Sequence, residues 1–214
     1  MKIGLPMNNR IRIQKSILVS PPYNTTYIIL NEILKIKNIK NALDMGTGTG
    51  IIAIELAKRS FDVTATDISN KAVRLAMLNI KNNNVKVNIF QSDLFDKVSG
   101  KFDLIVFNSP VVFKRKPVIN TIGNIILNFN LIDLVHRFSN LEKEWKVRMI
   151  KVNEFIYEAK NYLSDIGIIV TMLTQNEIDL ITKDKNIELL HKIKFDQIKA
   201  YNIYITKLKF RNVK

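Results

Sequence analysis

A chain of 214 residues, 47% apolar and 24% charged, is long enough to bury one ordinary core. It has no cysteine and only two histidines, His136 and His191, which excludes disulfide frameworks and thiolate metal sites and leaves little for imidazole chemistry. The net charge of +14 favours polyanionic partners such as nucleic acid, although lysines spread over every face would give the same total. No apolar run is long enough to span a bilayer, and the N-terminus lacks the apolar stretch of a signal peptide. The expectation is a cytoplasmic protein with no metal and no membrane partner.

The segment to about Ser20 is basic and β-prone, with Arg10-Ile-Arg-Ile-Gln14 alternating in polarity. Pro21-Pro22 then forces an extended or turned backbone. A helix is predicted from Thr26 to about Lys37, capped by Asn24 or Thr25, with Ile29, Leu30, Ile33 and Leu34 on one face. Strand and helix alternate from there. Strands are predicted at Ala42–Met45, Asp62–Thr66, Val85–Gln91 and Phe102–Phe107. Helices fall at Ile51–Arg59 and at Asn70–Lys81, the second capped by Ser69 or Asn70 with a buried stripe of Val73, Ala76, Met77 and Ile80. Residues 111–150 break the alternation, with a basic turn and then a helix from about Asn130 to Ile150. Later come a helix at Val152–Leu163, a strand at Ile166–Leu173 in which Met172 reads as core, and a helix at Gln175–Thr182 capped by Thr174. Two long strands, Ile187–Phe195 and Tyr201–Phe210, are joined closely enough to pair antiparallel.

Short βα connections imply parallel strands with right-handed crossovers, hence an α/β fold with a doubly wound sheet. The whole chain reads as one domain, with an N-terminal extension over 1–38 and an insertion over about 111–150. Ligands of such sheets sit beyond the carboxyl ends of the strands. Four polar markers fall there: Asp44 with the loop Gly46-Thr47-Gly48-Thr49-Gly50, then Asp67, Asp93 and Asn108. The alternating glycines depart from the G-x-G-x-x-G dinucleotide fingerprint, which disfavours a nicotinamide-linked oxidoreductase. By spacing alone the loop is a nucleotide cradle or an ordinary turn. Asp67 can accept a ribose diol or cap the helix beside Ser69, and Asp93 can be a simple turn residue.

Together these residues resemble the class I S-adenosylmethionine-dependent methyltransferases over about Val19 to Phe113. Asp44-Met-Gly-Thr-Gly-Thr-Gly50 looks like the motif that wraps the methionine part of the cofactor. Ala65-Thr-Asp67-Ile68-Ser69 is similar to the ribose-binding motif. Gln91-Ser-Asp93-Leu94-Phe95 resembles the adenine motif, with Leu94 lining the ring. Lys101-Phe-Asp-Leu-Ile-Val-Phe107-Asn108-Ser-Pro110 looks like the fourth motif. The resemblance implies S-adenosyl-L-methionine as cofactor and a Rossmann-like, mostly parallel seven-stranded sheet with an antiparallel C-terminal strand pair. Within the class the pattern is most similar to HemK-like enzymes and their RNA-modifying cousins. In short members of that group a segment like Pro21-Pro-Tyr-Asn-Thr25 closes over the cofactor, which makes Asn24 and Thr25 candidate contacts.

Such enzymes methylate a glutamine amide or a base amine with Asn-Pro-Pro-Tyr, and catalysis is mainly the alignment of a planar nitrogen. This chain instead reads Asn108-Ser109-Pro110-Val111. Asn108 would orient the acceptor and Ser109 and Pro110 would shape the turn, but the stacking tyrosine is lost; Phe113, Phe107 or Tyr23 would have to replace it. Val111, Phe113, Lys114, Arg115 and Lys116 are the candidate substrate contacts; the three cations can hold RNA phosphates or form a solvated loop. In the insertion, Leu131, Leu134, Val135, Phe138 and Leu141 read as packing residues, and Trp145 as core or lid. The expected activity is N-methyl transfer to a macromolecular acceptor, a protein glutamine or an RNA base, with room for a small activating protein subunit. The alternative is a non-catalytic adaptor that keeps the fold and docks RNA or a protein.

Overall fold

The computed structural model describes residues 11–15, 19, 24–108, 149–195 and 202–211. Helix α1 (Asn24–Ile33) leads into β1 (Asn41–Met45), α2 (Ile51–Lys58), β2 (Asp62–Asp67), α3 (Asn70–Asn82), β3 (Asn88–Gln91) and β4 (Phe102–Phe107). After the insertion come helix α4 (149–159), a short 3-10 turn, β5 (Leu163–Thr174), α5 (Gln175–Ile181), β6 (Ile187–Phe195) and β7 (Ile203–Phe210). The seven strands form one sheet in the order β3-β2-β1-β4-β5-β7-β6. Strands β1 to β5 pair in parallel, and β7 enters antiparallel between β5 and β6. By packing, the chain separates into two compact units, Met1–Ser109 with Tyr157–Lys214, and Pro110–Ile156.

Central strands of a doubly wound sheet are covered on both faces, so they need continuous apolar runs. Ala42 and Leu43 of β1 and Leu104, Ile105 and Val106 of β4 are fully buried. At their N-terminal ends, polar groups replace apolar ones. The Asp103 carboxylate accepts from the Lys40 N–H (2.9 Å) and the Ser164 hydroxyl (2.7 Å). Asn41 accepts from the Asp103 N–H at 2.8 Å and donates to the Lys101 carbonyl at 3.0 Å. These bonds fix the register of β1, β4 and β5 at that edge. Gly167 lies where the β4–β5 register shifts; a Cβ there would come within 2.9 Å of the Phe102 carbonyl oxygen.

Several boundaries differ from the sequence pattern for local reasons. Helix α1 already includes Asn24 and Thr25 and stops at Ile33, with Asn38 in the left-handed region (φ 64°) before β1. The third strand begins at Asn88 rather than Val85, because the Val85 N–H closes the end of α3 on the Ile80 carbonyl. Strand β5 begins at Leu163, which pairs with Phe102 ahead of the bulge. Thr174 caps α5 in a reciprocal box with Glu177, whose carboxylate accepts from the Thr174 N–H at 2.7 Å.

The stripe of α3 is corrected in one place. Val73, Ala76 and Ile80 are buried, as is Met172 of β5, but Met77 is 51% exposed. Ala72, Leu75 and Asn79 also point inward. Gly50, with no side chain, lets the loop approach α3 so closely that a Cβ would sit 3.1 Å from the Ala76 Cβ. Helix α1 is tied to β7 by buried Glu32, which pairs with Lys207 at 3.0 Å and also with Lys35.

Candidate active site

Register brings the four markers to one edge. Met45 pairs with Phe107 and with Thr66, and Asp67 pairs with Gln91. The next residues along each strand, Gly46, Asn108 and Ser92-Asp93, therefore line up with Asp67 at the carboxyl ends of β1, β4, β3 and β2. The chain order reverses between β1 and β4, the switch point at which such sheets bind ligands.

The glycine loop is held by a dense set of bonds. The Thr47 N–H donates to the Thr66 carbonyl (2.9 Å), and the Thr47 hydroxyl donates to Asp44 Oδ2 (2.6 Å). The same oxygen accepts from the Ala53 N–H in the first turn of α2 at 3.1 Å. Asp44 is 1% exposed, so its carboxylate fastens the loop from beneath. Burial, reinforced by the negative charge of Asp67, pushes its pKa up from 3.8 to about 7 against the pull of the Thr47 and Ala53 bonds. Gly46 adopts φ 67°, and a Cβ there would contact the Phe107 ring at 3.4 Å. This left-handed turn, open on its outer side and closed by Phe107, is the cradle that a side chain would fill.

Asp67 reaches across to the loop. Its Oδ2 accepts from the Gly48 N–H at 3.0 Å and its Oδ1 from the Ser69 N–H at 2.8 Å. Ser69 in turn caps α3. Both Asp67 oxygens are thus oriented, and each keeps acceptor capacity for a hydroxyl. Next to it Ile68 is 61% exposed, its backbone pinned by the Gln91 side chain, which donates to the Ile68 carbonyl at 2.9 Å. Asp93 and Leu94 are half-buried in the turn after β3, with Leu94 at φ 42°.

Asn108 is half-buried, and its Nδ2 donates to the Thr26 hydroxyl of α1 at 3.2 Å. That bond fixes the amide plane and leaves Oδ1 as the acceptor it can offer. The preceding Phe107 carbonyl is held by the buried Thr171 hydroxyl at 2.8 Å. Thr25 is buried in the first turn of α1. Of the other sequence candidates, Ser109, Pro110, Val111, Phe113, Lys114, Arg115 and Lys116 lie outside the described residues, as do Tyr23, Trp145 and His136. His191 is exposed on β6, 3.9 Å from Glu32. The pattern did not reveal Thr26, Thr171 or Asn79, since threonines and an asparagine inside regular elements carry no local signature.

Comparison with known proteins decides what this edge belongs to. The family described as methyltransferase small domain matches residues 24–129. A Methanocaldococcus jannaschii protein named for protein N5-glutamine methyltransferase activity is 31% identical over 87% of this chain and 91% of its own length. The chain belongs to the small-domain methyltransferases.

A release factor glutamine methyltransferase of Streptococcus pneumoniae is 36% identical, over 49% of this methyltransferase but only 38% of its own length. A solved structure of a ribosomal protein L11 methylase from Lactobacillus delbrueckii superposes with a TM-score of 0.64 at 18% identity, covering 94% of this chain and 86% of that one, which confirms the fold. The methyltransferase is an S-adenosylmethionine-dependent enzyme of the class I fold. Its residues fit that cofactor: a glycine cradle closed by an aromatic ring, an oriented carboxylate one strand away, and an exposed isoleucine beside it. Among the described residues no cluster of side chains could hold a metal ion, and no helix is long and apolar enough to cross a membrane.

Proposed function

We propose that this methyltransferase methylates the side-chain amide nitrogen of a glutamine in a protein acceptor. The observation that carries the reading is the tethered Asn108 amide at the switch point, next in register to the glycine cradle. An amide nitrogen has a delocalised lone pair, so the enzyme's main task is alignment. The Oδ1 of Asn108 can accept one N–H of a planar amide, and the Thr26 and Thr171 bonds keep that acceptor and the adjoining carbonyl in place. The similarity to two proteins named as glutamine methyltransferases favours a protein amide over an RNA base.

When bound, S-adenosylmethionine supplies an electrophilic methyl group. Asp67 would hold its ribose hydroxyls, and Gly46, Thr47, Gly48 and Gly50 its methionine portion. Ile68, Asp93 and Leu94 would hold the adenine, with Asn24 and Thr25 at the entrance. Asp44 would act through the loop it fastens. On the acceptor side, Ser109 and Pro110 would continue the turn, with Val111, Phe113, Lys114, Arg115 and Lys116 and the insertion over about 111–150 contacting the acceptor protein. A small activating subunit is part of the same proposal. The test is transfer of labelled methyl from S-adenosylmethionine to a glutamine-containing release factor or to bulk RNA. Transfer to the protein, lost on Gln→Ala at the modified position, supports the reading. Transfer to RNA alone replaces the acceptor, and cofactor binding without transfer to either supports the adaptor alternative.

A further inference from the structure

The N-terminal segment is held by Asn79 of α3 and by Asn83, the residue that caps its C-terminal end, rather than by a strand. The Gln14 N–H donates to Asn79 Oδ1 at 2.7 Å, and Asn79 Nδ2 donates back to the Gln14 carbonyl at 3.2 Å. One turn later, the Arg12 N–H donates to Asn83 Oδ1 at 3.0 Å and Asn83 Nδ2 donates to the Arg12 carbonyl at 2.8 Å. Alternate residues thus present both backbone groups to the helix, as they would to a neighbouring strand. Further along, Val19 clusters with Ala72 and Leu75 of α3. The segment therefore runs from the C-terminal end of α3 toward its N-terminal end, where Ser69 follows Asp67.

Asn79 makes one further bond. Its second Nδ2 hydrogen donates to the Thr49 carbonyl of the glycine loop at 2.9 Å. The side chain is 0% exposed and commits both donors and its oxygen. The other bonds given for the loop come from β1, from β2, from α2 or from the loop itself; this one comes from α3, beside the Ala76 contact under Gly50.

We propose that Asn79 is a positioning residue that couples the N-terminal segment to the glycine loop, so that cofactor affinity depends on how that segment is seated. The inference rests on the reading that the loop holds S-adenosylmethionine. Gly48 and Thr49 are successive residues, one bonded to Asp67 and the other to Asn79; releasing the second loosens the frame of the first. Cofactor binding, by ordering the loop, in turn tightens the segment onto α3.

Two full-length variants test this. Asn79→Asp keeps the acceptor for Gln14 and removes both donors; Gln14→Pro removes one N–H from an exposed segment and leaves the Asn79–Thr49 bond intact. Calorimetry with S-adenosylhomocysteine and amide exchange of Gly48 and Gly50 without ligand are the readouts. Asn79→Asp is expected to weaken binding about tenfold or more and to speed loop exchange. Gln14→Pro should weaken binding about threefold at unchanged melting temperature. In turnover, KM for the cofactor should rise while kcat changes little, a split that a loss of folded protein would not produce. A folded Asn79→Asp that binds like wild type overturns the proposal, as does a Gln14→Pro protein unchanged in both affinity and loop exchange. If Asn79→Asp does not fold, Gln14→Pro decides alone. A wild-type protein that binds no cofactor would sink the cofactor reading instead, and loop exchange in the unliganded variants would still decide the coupling.

Discussion

The two edges of the sheet use the same residue type for opposite ends. At the N-terminal edge, burial works to raise the Asp103 pKa, but bonds from Ser164, Lys40 and Asn41 and the Lys40 charge outweigh it and hold the carboxyl below its ordinary range. At the carboxyl edge, Asp44 is more deeply buried, concentrates its bonds on one oxygen and faces the charge of Asp67, so its pKa rises to about 7. One edge is a fully partnered clasp that stabilises the fold. The other carries an electrostatic cost and leaves acceptor capacity on Asp67 and Asn108. Binding sites are drawn from the costly end because a fully satisfied group has nothing left to offer a ligand.

Substitutions at the two edges should therefore separate activity from stability. Asn108→Ala should lower kcat about 100-fold or more with cofactor affinity little changed, measured by methyl transfer and calorimetry. Asp103→Ala should do the reverse: it strands the Lys40 and Ser164 donors and should cost about 2–3 kcal/mol in urea unfolding, with cofactor affinity of the folded protein intact. At Gly167 the Phe102 carbonyl and Leu163 leave no room, so Gly167→Ala should cost about 1–3 kcal/mol in the same assay.

The edges should also part in their pH dependence. Asp44 has a folded pKa of about 7 against 3.8. Between those values the folded state holds a proton that the unfolded chain has released, so stability falls as pH rises through that window. Asp103 is lowered, so its contribution is present above the ordinary carboxylate value and is lost only as pH falls through its folded value. Urea midpoints for Asp44→Asn should consequently lose the wild-type decline between about pH 4 and pH 7, while Asp103→Asn should keep it. The smallest effect is expected at Met77→Lys on the exposed side of α3, within about 0.5 kcal/mol of wild type.

Much of this was legible in the chain. The β4 strand, the α3 cap at Ser69 and the alternating glycines follow from local rules of apolar run, capping and turn geometry. The order of Asp44, Asp67, Asp93 and Asn108 was enough to place four polar residues at one edge of the sheet, because parallel strands bring their carboxyl ends together. The Met77–Asn79 exchange shows where such rules stop. A methionine reads as core and an asparagine as surface, but Asn79 is buried where its side chain bonds Gln14 and Thr49. Those partners lie 65 and 30 residues away. Thr26 and Thr171 were missed for the same reason, since their partners lie 82 and 64 residues away.

The most direct test of the carboxyl-edge site is calorimetric titration of S-adenosylmethionine into wild type, Asp67→Ala and Asp103→Ala. Saturable binding to wild type and to folded Asp103→Ala, with a loss of about 100-fold or more in Asp67→Ala, is the predicted result. Equal binding to Asp67→Ala and wild type, or no binding to any of the three, would contradict it.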